Sequence, residues 1–312
     1  MTVLTLILAT CIGLVLLSRI LARQAEMALP PAGDMQAVTG GTIHYVETGR
    51  QDAQTVVMIH GLAGNLHHFT YGMVAPLAQD FRVIALDRPG CGYSLRDTDD
   101  QAHLQVQARM IWEFLDARDV TSPVLVGHSL GGAVALAMAL ERPHAVGALA
   151  LLCPATQPQS HTPDVFRPLQ VKSPLLRRAL AHTVVAPTTK LTRKHMLKEI
   201  FAPDVVVEDF QIKAGGIQAF RPQTFISASA DLMGTRADVR HLTDRYATDL
   251  HAPGAILFAQ DDMILSPDHH GAPMAQFGLP MQTLPGHGHM IPVTAPDACC
   301  DFVRQVARQA KP

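Results

Sequence analysis

Charge and aromatic side chains are both scarce in this chain of 312 residues. Charged residues make up 17% of it and aromatic residues 5%, whereas globular proteins average about 25% charged residues. Lys and Arg number 25 against 27 Asp and Glu, so the chain as a whole has no positive excess for nucleic acid, and we expect no such partner. The 48% hydrophobic content excludes a disordered chain, and the charges are too evenly spread for a protein of many membrane spans.

Cysteine is scarce as well. The chain has 5 cysteines, an odd number, and none lies in a C-x-x-C or Cys/His spacing that is typical of zinc sites. The one adjacent pair, Cys299 and Cys300, could form a disulfide only with strain. We therefore expect buried free thiols and no metal.

One long stretch lacks charge altogether. No residue from Thr2 to Ser18 is charged, and apolar residues continue past Arg19 to Ala22. Since about 20 apolar residues span a bilayer as a helix, we predict that residues 1–24 form an uncleaved membrane anchor. A cleaved signal peptide is the main alternative, although no Lys or Arg precedes the run and no clear A-x-A site follows it. A third interpretation of this run is a buried core helix.

Two arginines at the C-terminal side of this run, Arg19 and Arg23, predict its orientation. By the positive-inside rule, the domain that follows lies in the cytoplasm. If the run is instead a cleaved signal peptide, the domain is exported.

Beyond a proline-containing linker, short apolar runs alternate with longer helical patterns. The runs predict strands at residues 42–48, 55–59, 82–86, 124–126, 148–152, 255–258 and 281–284. The helical patterns fall near residues 69–78, 102–117, 130–140, 274–277 and 298–310. Strands buried on both faces and interleaved with helices predict a mostly parallel, doubly wound α/β sheet.

The alternation stops between about residues 155 and 249, a stretch with many prolines and no clear strand. We predict that residues 155–249, called the cap segment from here on, form a helical cap inserted between two strands of one sheet. The remaining divisions are the N-terminal helix at 1–24 and a core in two parts, 25–154 and 250–312.

The stretch Gly127-His128-Ser129-Leu130-Gly131 follows a predicted strand and opens an Ala/Leu-rich helix. This is the G-x-S-x-G nucleophile elbow in its strand–turn–helix context. The serine must occupy a sharp, strained turn, in which side chains at the two glycines would collide with neighbouring backbone. Backbone N–H groups at the helix start also point at negative charge that develops beside the serine.

A nucleophilic serine needs a base, and the base needs an orienting acid. One predicted strand runs into Asp261 and Asp262, and a later Gly/Pro loop carries His287 and His289. Both places are where an open parallel sheet positions its ligands. The residues alone leave the choice within each pair open.

These motifs resemble those of the α/β-hydrolase superfamily, in the branch with a helical cap, over about residues 41–308. Four match in order: His60-Gly61 after a strand, residues 87–94 with the pattern D-x-P-G-x-G-x-S, the serine elbow, and Gly288-His289. Ala259 stands where the family's acid pattern G-x-x-D has glycine, which aligns Asp262 rather than Asp261 with the catalytic acid. The family pattern likewise favours His289 over His287.

The resemblance implies a Ser129–His289–Asp262 triad and no metal or organic cofactor. It implies an oxyanion hole formed by the backbone N–H groups of Leu62 and Leu130. His60, Gly61, Gly127, His128 and Gly131 are the supporting residues of these motifs.

We expect a serine esterase that acts on a lipophilic small-molecule ester. The alternatives with the same triad are a C–C bond or lactone hydrolase and a cofactor-free haloperoxidase or perhydrolase. A non-enzymatic alternative is a membrane-tethered binding protein on a hydrolase scaffold. A serine at the elbow argues against epoxide hydrolases and haloalkane dehalogenases, which use a carboxylate there. The sequence indicates no particular oligomeric state.

The cap segment contains a run of basic residues without an acid. Eight lie between Val165 and Lys198, namely Arg167, Lys172, Arg177, Arg178, Lys190, Arg193, Lys194 and Lys198. They form either a solvated face or a face against anionic lipid head groups. Six large apolar residues predict either a pocket lining or cap core: Phe166, Met196, Phe201, Phe210, Phe220 and Phe225. We expect His67, His68, His269 and His270 at the surface or in loops.

Overall fold

The computed structural model describes residues 2–310, and a nine-stranded sheet forms its centre within that range. Met1, Lys311 and Pro312, which belong to the predicted first and last divisions, lie outside the described residues. The strands are β1 (Asp34–Val38), β2 (Gly41–Thr48), β3 (Thr55–Ile59), β4 (Arg82–Leu86), β5 (Leu95–Arg96), β6 (Val124–His128), β7 (Ala148–Leu152), β8 (Gly254–Ala259) and β9 (Met281–Leu284).

The helices follow the strands closely in the core and replace them in the cap segment. They are α1 (Thr2–Ala28), α2 (His67–Thr70), α3 (Val74–Leu77), α4 (Leu104–Asp116), α5 (Leu130–Glu141), α6 (Pro174–Leu180), α7 (Ala186–Phe201), α8 (Pro222–Thr243), α9 (Tyr246–Asp249), α10 (Pro267–His270), α11 (Ile291–Thr294) and α12 (Pro296–Ala307). A π-helical turn at Ala181–Val185 joins α6 to α7, and short 3₁₀ turns lie at Asp99–Ala102, Asp164–Leu169, Gly216–Phe220 and Ala272–Phe277.

The sheet is mostly parallel, as predicted. Its order is β1-β2-β4-β3-β6-β7-β8-β9, with β5 paired to β2. The strands from β4 to β9 in that order run parallel, whereas β2 is antiparallel to β4 and β1 is antiparallel to β2. Every residue of β3, β4, β6, β7 and β8 is buried, because both faces of a parallel sheet are covered.

All seven predicted strands are present, within two residues of the predicted bounds. The sequence patterns missed β1 and β5, since β1 buries only Val38 and β5 has two residues. The single helix predicted at residues 69–78 is wrong. It is two short helices, α2 and α3, interrupted at Gly72, where a Cβ atom would lie 2.7 Å from the side chain of Pro296.

Buried ion pairs join the cap segment to the core. Asp231 of α8 accepts hydrogen bonds from Arg88 (2.8 Å) and Arg96 (2.6 Å), and all three side chains are buried. Burial raises the pKa of Asp231, but the two guanidinium groups more than offset that effect, so the carboxyl has a lowered pKa. Helix α8 is therefore fixed to the loop that follows β4 and to β5.

The basic run of the cap segment does not form one free cationic face. Arg177 is buried, and both Arg177 and Arg178 form ion pairs with Asp99 of the core. Arg167 forms an ion pair with Asp164. The sequence pattern could not reveal this, because Asp99 lies far from these arginines in the chain.

Helix α1 extends to Ala28, beyond the predicted boundary at residue 24. Among the described residues it is the helix that is long and apolar enough to cross a membrane, a test that a signal sequence also passes. Its first half is exposed, and its second half packs against the cap segment.

Candidate active site

The turn between β6 and α5 holds Ser129 in a strained backbone conformation. Its φ of 55° and ψ of −121° lie in a region that L-residues rarely occupy. A Cβ atom at Gly131 would lie 2.0 Å from the carbonyl oxygen of Ile59, and one at Gly127 would lie 2.6 Å from that of Gly131. The two glycines therefore allow the close backbone contacts that this turn makes.

Hydrogen bonds connect three of the predicted site residues, Ser129, His289 and Asp262. His289 Nε2 lies 2.9 Å from Ser129 Oγ, and His289 Nδ1 lies 2.7 Å from Asp262 Oδ2. All three residues are buried. A proton on Nδ1 that is donated to the carboxylate leaves Nε2 as an acceptor for the serine hydroxyl.

Backbone contacts fix the carboxylate of Asp262. Its other oxygen accepts hydrogen bonds from the N–H groups of Ile264 (2.8 Å) and Leu265 (2.9 Å). Asp261 is exposed, and His287 contacts Asp204 rather than the serine. Of the two open pairs, the structure thus brings Asp262 and His289 to Ser129.

The loop after β3 approaches the serine from the other side. A Cβ atom at Gly61 would lie 2.9 Å from Cβ of Ser129, so only glycine permits this approach without a shift. Leu62 lines the cavity beside the serine, and within the described residues its N–H donates to no protein acceptor. Leu130 is buried as the first residue of α5.

His60 organises this loop as a neutral imidazole. Its Nδ1 contacts the carbonyl of Gly61 (2.8 Å), and its Nε2 accepts the N–H of Arg88 (3.0 Å). Complete burial, reinforced by the guanidinium of Arg88, lowers the pKa of His60 to about 3. A histidine held in this way supports the loop and carries no charge at neutral pH.

His128 packs against His289. Its Nε2 donates to the carbonyl of His289 (2.9 Å), and the two ring centroids are 5.0 Å apart. Burial, and then the neighbouring His289, keep the pKa of His128 well below its ordinary value. The His128 ring therefore packs against the His289 ring and binds its backbone carbonyl.

The expectation that four other histidines lie at the surface or in loops is wrong for three of them. His67, His68 and His270 are buried, and only His269 is exposed. Burial lowers the pKa of His68 to about 4 and that of His270 to about 3. Nδ1 of His270 accepts N–H groups at the start of the cap segment, those of Thr156 and Gln157.

A cavity of about 660 Å³ lies between the sheet edge and the cap segment, and Ser129 and His289 are part of its wall. Most of its lining is apolar. All six large apolar residues singled out from the sequence line it: Phe166, Met196, Phe201, Phe210, Phe220 and Phe225. Ser129 therefore faces an apolar space, and residues of the cap segment form much of its wall.

Asp204 of the cap segment binds the loop that carries His289, a contact that no sequence motif indicates. Its carboxylate accepts the N–H of Gly288 (2.8 Å) and the hydroxyl of Thr294 (3.2 Å), and it contacts Nδ1 of His287 (3.0 Å). Because Asp204 is 84 residues away from Gly288 in the sequence, local patterns could not predict this contact.

In the part of the chain that the structure describes, Cys153 lies close enough to Asp262 and His289 to form a set of three potential metal ligands with them. Single atoms of Cys153, Asp262 and His289 lie within 4.8 Å of one another. Metal binding needs a thiolate, but burial, followed by the charge of Asp262, raises the pKa of Cys153 well above its ordinary value. This donor set fits a hydrogen-bonded triad better than a metal.

Comparisons with known proteins identify the family and the fold. Residues 54–296 match the family described as alpha/beta hydrolase fold. The dihydrolipoyllysine-residue acetyltransferase component of the acetoin cleaving system from Pseudomonas putida is 26% identical over 280 residues, which are 87% of this chain and 68% of that protein. The 2-hydroxy-6-oxononadienedioate/2-hydroxy-6-oxononatrienedioate hydrolase of Paraburkholderia xenovorans (strain LB400) is 27% identical over 234 residues, 72% of this chain and 76% of that protein.

A solved structure shows the same fold over a larger share of the chain. A thermophilic esterase from Thermogutta terrifontis superimposes with a TM-score of 0.68 at 22% identity, covering 89% of this chain and 99% of that one. The family and its relatives support hydrolase function. The chain belongs to the α/β-hydrolase fold family.

Proposed function

We propose that this chain is a serine hydrolase that cleaves a carboxylic ester of a lipophilic small molecule through an acyl-enzyme. The observation that carries the proposal is the line of contacts from Asp262 through His289 to Ser129, which ends in an apolar cavity. The esterase among the structural neighbours is consistent with it at the level of fold.

In the first half of the reaction, His289 Nε2 takes the proton of the Ser129 hydroxyl while Oγ attacks the acyl carbon. Asp262 stabilises the imidazolium that results and keeps its tautomer. The tetrahedral intermediate then collapses. The C–O bond to the alcohol breaks, and the alkoxide leaves with the proton from His289.

In the second half, water gives a proton to His289 and attacks the acyl carbon of the Ser129 ester. Collapse of this second intermediate restores the serine hydroxyl and releases the carboxylic acid. In both halves the N–H groups of Leu62 and Leu130 bind the oxyanion, an interaction typically worth about 3 kcal/mol per donor. Among residues 2–310 the Leu62 N–H donates to no protein acceptor, which supports this role.

The lining favours a lipophilic substrate. A cavity with phenylalanine and methionine side chains over the nucleophile gains binding free energy from apolar surface, about 25 cal/mol per Å² buried. The related hydrolase of Paraburkholderia xenovorans supports a second candidate, a hydrolase of another bond that uses the same serine. Retention of a complete and connected triad argues against a purely binding role.

We also propose that α1 is retained as a membrane anchor, with the catalytic domain in the cytoplasm. Its second half contributes to the packing of the cap segment, and Arg221 of that segment forms an ion pair with Glu26. A signal peptide that is removed would leave this packed surface open. Export after cleavage remains the alternative outcome for a test of topology.

Hydrolysis of a series of p-nitrophenyl esters by the full-length chain tests the activity. We expect turnover of medium-chain esters and a loss of at least about 10³-fold in Ser129→Ala. Ser94→Ala, which changes a buried serine of the core that contacts Asp87, is the matched control. Activity that survives in Ser129→Ala would contradict the proposal, whereas cleavage of lactones or C–C bonds alone would favour the second candidate.

A further inference from the structure

Helix α1 has two halves with different surroundings. Residues 2–13 are exposed along every face, although most of them are apolar. From Ser18 onward one face is buried, at Ser18, Leu21 and Ala25. The second half of α1 is therefore part of the folded domain, and the first half extends away from it.

The buried face of α1 lies on the cap segment. Leu21 and Ala25 pack with Ala186, at the start of α7, and with Phe220. Ser18 Oγ lies 3.5 Å from the carbonyl oxygen of Ala181, in the π-helical turn before α7. The anchor and the cap segment thus share a small apolar core.

The length of α1 determines how close the cap segment comes to a bilayer. At 1.5 Å per residue, residues 2–13 extend about 18 Å, whereas the hydrocarbon core is about 30 Å thick. The apolar run crosses that core only if residues 14–21 enter it too. On these turns Leu16, Leu17 and Ile20 are still 53%, 41% and 53% exposed. Because the same turns contact the cap segment, that contact must lie at the membrane boundary.

The mouth of the cavity lies beside this contact. Residues that both line the cavity and are exposed mark its opening. One row of them begins in the π-helical turn and continues along α7: Val184, Thr188, Thr192, His195 and Glu199. The row begins one helical turn after Ala181, the residue that meets Ser18. The opening therefore starts where α1 leaves the domain.

The surface around the mouth has the chemistry of a membrane-binding face. Leu191, on the same helix as this row, is 84% exposed, and Lys190 and Lys194 beside it are exposed as well. Exposed leucines gain by entering the acyl boundary, and lysines next to them gain by binding anionic head groups. Arg177 and Arg178 are excluded from this face by their ion pairs with Asp99.

We propose that α1 and the cap segment form one membrane-binding unit that holds the cavity mouth at the bilayer surface. The substrate is then an ester that partitions into the lipid leaflet and enters the cavity along α7 without crossing bulk water. The inference rests on the proposed ester hydrolysis for its chemistry, and on α1 and the α7 surface for its geometry.

Environment-sensitive labels test the geometry without any activity. Cys11 on α1 is the exposed cysteine among the five, so a nitrobenzoxadiazole label on the native chain reports insertion of α1. In a Cys11→Ser background, Leu191→Cys places the label at the mouth. Met35→Cys, on the edge strand β1 and 50% exposed, is the control.

With vesicles of phosphatidylcholine and phosphatidylglycerol, we expect blue-shifted emission at Cys11 and at Leu191→Cys, and no shift at Met35→Cys. A shift at Cys11 combined with a Leu191→Cys label that behaves like the control would overturn the inference. So would the absence of a shift at Cys11.

Hydrolysis rates test the route. Leu191→Glu should lower the rate on a long-chain fluorogenic ester dissolved in these vesicles by about tenfold and leave that on a short soluble ester unchanged. Met35→Glu should change neither rate by more than about twofold. Equal loss on both esters in Leu191→Glu would contradict the route. If no ester shows Ser129-dependent turnover, the proposed function fails while the label experiment still decides the geometry.

Discussion

The core and the cap segment differ in how their functional side chains are exposed to solvent. In the core, the carboxylates of Asp262 and Asp87 are buried and accept several hydrogen bonds each. In the cap segment, α7 exposes Lys190, Leu191 and Lys194 on the surface. The difference separates two tasks, since fixed dipoles are needed for the reaction and an adaptable surface is needed to reach the substrate.

Two acidic residues of the cap segment break this division. Asp231 is buried between Arg88 and Arg96 of the core, and Asp204 accepts the N–H of Gly288, next to the proposed base His289. Substitutions at Asp262, the proposed acid, and at these two contacts measure how independent the two regions are.

The largest effect is expected within the core itself. Asp262→Asn keeps the shape of the side chain but favours the wrong tautomer of His289, so kcat should fall by about 10⁴-fold with the fold intact. Asp261→Asn, the exposed neighbour, is the control and should stay within about twofold. Steady-state kinetics with circular dichroism would check both, and a larger loss in Asp261→Asn would reverse the assignment of the acid.

The buried ion pairs between the regions should matter for stability. Asp231→Asn leaves two buried guanidinium groups without a charged partner, which costs about 3 kcal/mol or more in the free energy of unfolding. Asp249→Asn removes a carboxylate from a surface pair with Arg245 and should leave the unfolding midpoint unchanged. Urea denaturation measures both, and equal midpoints would show that α8 is held by apolar packing alone.

The order of the core elements could be predicted from the sequence because each buried strand and the serine elbow depend on local patterns. The apolar run of β6 and the glycines at 127 and 131 are visible in a few consecutive residues. The family pattern also separated Asp262 from Asp261, and the structure places Asp262 against His289.

Long-range contacts could not be predicted in this way. The pairing of Arg177 with Asp99, the burial of His270 beneath Thr156 and the hold of Asp204 on Gly288 all join distant parts of the chain. The interruption between α2 and α3 has the same origin, since Pro296 packs against Gly72. A local sequence pattern indicates which face of an element is apolar, but it does not indicate which distant residue a polar side chain contacts.

A smaller effect is expected at Asp204, because it acts through the loop of His289 and touches no reacting atom. Asp204→Asn should lower kcat by about tenfold with little change in KM, since the base is displaced while the cavity is retained. Asp204→Glu should recover part of the loss, and Glu208→Gln, an exposed neighbour, is the control. An increase in KM with an unchanged kcat would place Asp204 in substrate binding instead.

The central claim is that Ser129 is the nucleophile of a connected triad, and labelling with a fluorophosphonate tests it most directly. Oγ of Ser129 should attack phosphorus and displace fluoride, which adds one phosphonyl group to the peptide that contains Ser129. Mass spectrometry should find that single adduct in the native chain and a rate of labelling far lower in His289→Ala. Labelling at another residue, or none in a folded chain, would contradict the account.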